Sequence, residues 1–166
     1  MIRKKKMFVR PKKAYEASRI KEENSILNKY GLKNKREIWK SLAKINYYRS
    51  RAKAIAKSPA EEQKVLFNKL SALGIKVDSI SDVLALKIEN LLERRLPTIV
   101  AKKELAVTPR QARQMVTHKN ILIDGRVVNS PSYIVPVSEE NLISVKKSAK
   151  KPAPAKTEET KSEESK

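Results

Sequence analysis

Cysteine is absent from the 166 residues, so no disulfide and no thiolate metal site can form. Only three glycines occur, which excludes the glycine-rich loops that cradle nucleotide phosphates. Aromatic residues make up 5%, with one tryptophan, and there is a single histidine. That histidine, His118, has no carboxylate or thiolate companions at ligand spacing, and no nucleophile or base stands in register with it. No metal, cofactor or catalytic residue is therefore expected. No run of about 18 apolar residues exists to span a membrane, and no signal peptide can be read at the start. A soluble intracellular chain without a membrane partner is the expectation. Acids are scarce as well, 18 against 38 lysines and arginines, for a net charge of +20.

Such an excess repels itself unless an anionic partner absorbs it, and the candidates are nucleic acid, an anionic membrane or an acidic protein. The charge is unevenly placed. Residues 1–58 hold 19 bases and 4 acids, residues 59–88 hold 4 of each, and residues 89–146 hold 9 and 6. Apolar residues at 40% support a core for one or two small domains.

Residues 1–13, "MIRKKKMFVRPKK", have no apolar period and read as an extended basic arm. A helix is expected from about Ala14 to Tyr30, stopped by Gly31. A longer one follows over residues 33–58. There Ile38, Leu42, Ile45, Tyr48, Ala52 and Ile55 recur every three or four residues as one stripe. Its other faces carry Lys40, Lys44, Arg49, Arg51, Lys53 and Lys57, and only Glu37 offsets them. A solvated basic face is the ordinary reading, but uncompensated repulsion favours an anionic partner. Trp39 reads as the anchor of a helix junction.

Punctuation marks the next segments. Ser58 and Glu61 have capping-box spacing, Pro59 suits a first turn, and Gly74 suits a helix end, predicting a third helix. "SISDVLALKIENLLERRL", residues 79–96, predicts one continuous helix capped by Ser79 and Asp82. A short helix opens at Pro97, and another begins with Thr108 as cap and Pro109 in its first turn. The period then becomes two. "ILI-DG-RVV" predicts a hairpin turning at Asp124-Gly125, and "PSYIVPV" and "NLISV" predict further short strands. Pro136 is tolerable only near a strand end or edge. Residues 147–166, rich in Lys, Ala, Pro, Glu and Ser, lack apolar anchors and are expected to be disordered.

On the helix after Thr108, the arginines Arg110 and Arg113 share a face with Gln114 and Thr117, opposite Ala112, Met115 and Val116. With the apolar side packed on the hairpin, the arginines point outward, suited to phosphates and to stacking on bases. Arg113 is expected as the central contact of that face with the anionic partner, with Arg110 flanking it. The alternative is that Arg113 pairs with Glu104 or Asp124 and braces the fold. Arg94, Arg95, Lys102 and Lys103 widen the patch, and Thr108 adds a neutral phosphate donor. For His118, a structural role at the helix end and contact with RNA both stay open.

The stretch from Leu91 to Val137 resembles the small RNA-binding domain named after ribosomal protein four of the small subunit. The shared features are Arg94-Arg95-Leu96, Leu105-Ala106, Thr108, Ala112-Arg113-Gln114, His118, Ile121, Gly125, Val128 and Pro131-Ser132-Tyr133. "KYGLKNKREIW", residues 29–39, resembles the N-terminal region of the archaeal and eukaryotic branch of that family. Together the likenesses span roughly residues 14–145. Departures are Glu104 and Lys119 where the family usually has glycine, Ala101 for an aromatic and Pro97 for glutamine. Some bacterial members carry a zinc knuckle, which the lack of cysteine excludes here.

The resemblance implies an α+β chain. A helical rRNA-binding region, 14–93, would follow the arm. A small RNA-binding domain, 94–146, would place two short helices on a β-hairpin-based antiparallel sheet, before the disordered tail. It implies a non-enzymatic constituent of the small ribosomal subunit in the cytoplasm. Such a protein binds the 5′ domain of small-subunit rRNA early in assembly. It lies near the entrance for messenger RNA, beside proteins three and five of that subunit, and aids translational accuracy. The implied RNA-binding residues are Lys33, Lys35, Arg36, Lys40, Arg49, Arg51, Lys53, Arg94, Arg95, Lys102, Lys103, Thr108, Arg110, Arg113, Gln114, His118 and Lys119. The alternatives are a free-standing RNA-binding protein, one handling stalled ribosomes or packing the nucleoid, and an RNA-modifying enzyme carrying the same domain. A pseudouridine synthase would need a separate catalytic domain, for which residues 1–88 leave no room.

Overall fold

The structure, a computed structural model, describes residues 7–146. The expected tail and the first six residues of the arm lie outside that range. Within it, the arm is not free from end to end. Phe8 packs against Trp39 with ring centroids 6.0 Å apart, because an aromatic side chain in a basic segment gains by leaving water.

Two helices form the N-terminal hairpin, α1 (Ala17–Lys29) and α2 (Lys35–Ile55), joined through Gly31 at φ +59. The buried side of α2 is Ile38, Ser41, Ile45, Tyr48 and Ala52. Leu42, expected in that stripe, is exposed, and Ser41 takes the inner position. Ser41 is tolerated there because its hydroxyl donates to the Glu37 carbonyl at 3.0 Å. Trp39 anchors the hairpin as expected, its indole N–H donating to Glu23 Oε1 at 2.9 Å.

Helix α3 (Ala60–Ala72) ends at Gly74. Its N-cap is Pro59 with no side-chain cap, so the expected Ser58–Glu61 box is not formed. Gln63 instead donates to the Ser58 and Ile55 carbonyls at 3.0 and 3.3 Å. The segment expected as one helix is two, α4 (Ile80–Ala85) and α5 (Ile88–Glu93). The Ser79–Asp82 capping box starts the first. Leu86 and Lys87 are extended between them, and Asn90 Oδ1 accepts the Lys87 N–H at 3.1 Å to start the second. The break lets Val83, Leu86 and Leu91 all enter one core with Ile45, Tyr48, Leu66 and Leu70.

Helices α6 (Leu96–Lys102) and α7 (Pro109–Thr117) precede the hairpin β1 (Ile121–Ile123) and β2 (Arg126–Val127). The Thr108 hydroxyl accepts the Gln111 N–H at 3.2 Å, as a cap should. Asp124 and Gly125, at φ 50 and 72, make the turn. Helix α8 (Val137–Glu140) and β3 (Ile143–Val145) complete the chain's described part, giving an antiparallel sheet ordered β2-β1-β3. "PSYIVPV" is not a strand of that sheet. It forms one bridge, Arg95 to Ile134, and Pro136 caps α8. A second core holds Leu96, Ile99, Val100, Ala112, Val116, Ile121, Ile123 and Val135. Glu104 and Lys119 sit in the left-handed region at φ 58 and 61. The turns are thus kept without the expected glycines, at about 1 kcal/mol of strain each.

Candidate nucleic-acid interface

The helical region and the domain meet at Glu37, in the first turn of α2. Arg113 grips its carboxylate with two donors, Nη2 to Oε1 at 2.8 Å and Nη1 to Oε2 at 3.0 Å. Arg95, 6% exposed, donates from Nη2 to Oε2 at 2.7 Å and from Nε to the Pro131 carbonyl at 3.2 Å. Burial pushes the Glu37 carboxyl up, but the two guanidinium groups outweigh it and hold the group below the usual carboxylate range. The seam continues at the start of α7, where Arg110 donates to Asn28 Oδ1 at 3.0 Å. Gly31 lies so close to α7 that a Cβ there would meet the backbone of Pro109 and Arg110 at 2.9 Å.

This corrects the expectation for Arg113. Its guanidinium leaves the domain's core, as periodicity requires, but it meets α2 rather than solvent. Its acid is neither Glu104 nor Asp124. The periodicity of α7 says which side faces the hairpin, and says nothing of what docks on the other side.

Several other expected RNA contacts are likewise engaged within the protein. Arg94 donates to Glu140 Oε2 at 2.8 Å and to the Val135 carbonyl at 3.0 Å, in space left by Gly74. Lys102 pairs with Glu93 at 3.0 Å, and Lys103 donates to the Glu140 carbonyl. Arg49 donates to the Leu86 carbonyl at 2.6 Å, satisfying the break after α4. Lys35 pairs with Glu23 at 3.3 Å, beside Arg19 at 2.8 Å. Glu23 is nonetheless held below the carboxylate range: burial raises it, and Trp39, Arg19 and Lys35 lower it more. Sequence reasoning missed Glu37, Asn28 and Glu140 as partners. Glu37 alone left a signal, a single acid in a helix of bases.

The remaining expected contacts face outward. Lys33, Arg36, Lys40, Arg51 and Lys53 from the α2 side, and Gln114, His118 and Lys119 from the end of α7, are all exposed. None is paired with a carboxylate among the described residues. Arg36 and Lys40 flank Glu37 along α2, and Gln114 and Thr117 flank Arg113 along α7. Among the described residues no group of three or more His, Cys, Asp or Glu could hold a metal ion. No described helix is long and apolar enough to cross a membrane.

The sequence profile described as S4 domain matches residues 94–141. Similarity to curated proteins extends over most of the chain. The small ribosomal subunit protein uS4 of Methanococcus aeolicus is 44% identical over 146 residues, 84% of this chain and 82% of that protein. That of Thermoplasma volcanium is 45% identical over 147 residues, 83% and 74% of the two chains. That of Ignicoccus hospitalis is 44% identical over 145 residues, 84% and 87%.

Proposed function

The chain belongs to the small ribosomal subunit protein uS4 family, and on that premise we propose that it is a non-enzymatic structural constituent of the small ribosomal subunit that binds its rRNA. The observation that supports this most is the set of exposed cations on α2, Arg36, Lys40 and Arg51 along one face and Lys53 on another, with no carboxylate among the described residues within ion-pair distance of them. Folded RNA supplies phosphates in the required density, and neutralising them releases counterions. The domain of residues 94–146 adds contacts read from RNA shape rather than sequence. We assign the finer reading on the same footing. The helical region, 14–93, and the domain act as one rRNA-binding body joined at Glu37. It binds the 5′ domain early in assembly, near the entrance for messenger RNA and beside small-subunit proteins three and five, in the cytoplasm.

The candidate contact residues divide into two roles in this proposal. Arg95 and Arg113 lock the two regions together, while Lys33, Arg36, Lys40, Gln114, His118 and Lys119 meet RNA across the seam. Filter binding to a transcript of the 5′ domain tests this. Replacing Arg36, Lys40 and Arg51 together by alanine is expected to flatten the salt dependence by about 2–3, at roughly 0.7–0.9 per lost phosphate contact. An unchanged slope with unchanged affinity would mean that α2 does not face the RNA.

A further inference from the structure

An exposed aromatic side chain stands in the middle of the basic face of α2. Tyr47 is 56% exposed. Lys40, Lys44, Tyr47 and Arg51 are spaced four, three and four residues apart, so they form one stripe along the helix. Arg36 extends it by one turn. The stripe is not the buried one, which runs through Ile38, Ser41, Ile45, Tyr48 and Ala52. Among the described residues no carboxylate lies within ion-pair distance of Arg36, Lys40, Lys44, Arg51 or Lys69. Burial, and to a lesser degree the charge of Lys69 on α3, hold the Lys44 ammonium below the usual lysine range.

Tyr47 has an aromatic neighbour. Its ring meets buried Tyr48 edge-on, with centroids 5.7 Å apart and planes at 61°. A tyrosine has only two side-chain torsions, so it loses little freedom when its outer surface is covered. Its ring is too exposed to contribute much to the core. Every nucleobase has a π face, and a base can use it only when it is not stacked inside a helix.

We propose that Tyr47 is a stacking platform for one unpaired nucleotide of the RNA, with Lys44 and Lys69 taking a neighbouring phosphate and Lys40 and Arg51 the backbone on either side. This rests on the RNA-binding reading above and specifies its ligand at this face: a single-stranded loop, bulge or flipped-out base rather than a regular duplex.

The full chain is compared with Tyr47→Phe, Tyr47→Leu and Lys44→Ala in filter binding, against the 5′-domain transcript and against a blunt duplex RNA of about 16 base pairs. Tyr47→Phe is expected to bind the transcript like the unmodified chain. Tyr47→Leu is expected to bind it about 5- to 150-fold more weakly with the salt dependence unchanged, because stacking is lost without a charge. Lys44→Ala is expected to flatten the salt dependence by roughly 0.7–0.9. Neither tyrosine variant should alter duplex affinity or the melting temperature. The inference is overturned if Tyr47→Leu binds the transcript as tightly as the unmodified chain, if Tyr47→Phe loses as much as Tyr47→Leu, or if the duplex suffers equally. In each of those cases the unmodified chain still binds, and the broader RNA-binding reading stands. Absence of binding by the unmodified chain overturns both.

Discussion

Glu37→Ala is expected to destabilise the protein by about 3–5 kcal/mol, because it strands two largely buried guanidinium groups without a counterion. Arg95 and Arg113 have side-chain exposures of 7% and 20%, and Glu37 17%, so water replaces little of the lost pairing. Arg113→Ala should cost less, since Arg95 still neutralises the carboxylate. This differs from the expectation, drawn from α7 alone, that Arg113 points outward to a partner. The carboxylate also sets the acid response. Its folded pKa is depressed below the ordinary 4.5, so its contribution is fully present above that value. The contribution is lost as pH falls through the folded value. Glu23 behaves in the same sense, its folded pKa being depressed too. Thermal melts from neutral pH down to below 4.5 check this. The unmodified chain should lose melting temperature toward acid, and Glu37→Gln should start lower and lose less. Identical melting curves for the two would show that the latch carries no stability.

Gly31→Ala should be the second severe change, at about 2–5 kcal/mol. The left-handed backbone contributes roughly 1–2 of that and the overlap with α7 the remainder. The overlap cannot be relieved by a rotamer change, because the atoms met at 2.9 Å are the backbone of Pro109 and Arg110. Gly125→Ala separates the two causes. Gly125 has φ +72 but nothing within 4 Å of an added Cβ, so only the backbone cost applies there. Chemical denaturation should show Gly31→Ala losing at least twice as much as Gly125→Ala. Equal losses would mean that the joint yields without cost.

Punctuation was the most legible layer of the sequence. Thr108-Pro109 opens α7, Ser79 and Asp82 form their box, and Asp124-Gly125 turns the hairpin. These are local geometries, set by residues within one turn of each other. The class followed too: helices first, then a small antiparallel sheet under two short helices. What could not be read depends on distant partners. Nothing within residues 79–96 marks the break at Leu86, which carries no glycine or proline. It is decided by Arg49 taking the Leu86 carbonyl and by three side chains entering one core. Leu42 and Ser41 are neighbours on a helix, and tertiary packing decides between them: Ser41 is buried, while Leu42 lines an open cleft with the arm and α1.

The candidate site shows the same division. Exposed bases such as Arg36, Lys40 and Arg51 were identifiable from charge and spacing. The split between cations that hold the protein together and cations left for a partner was not. Arg94, Arg95 and Arg113 look the same in sequence as residues on an RNA surface, and their carboxylates, Glu140 and Glu37, lie 46, 58 and 76 positions away. A single acid in a strongly basic helix is the cue worth reading in such a chain, because its partners are the residues withdrawn from the interface.

Fractionation of ribosomes from the source cells tests the assigned role most directly. Small subunits are washed in high salt, separated from free protein by sedimentation, and the chain is quantified against other subunit proteins. One copy per small subunit, retained through the wash, is the expected result. Recovery mainly in the wash, or at a small fraction of a copy per subunit, would contradict a structural place in the particle.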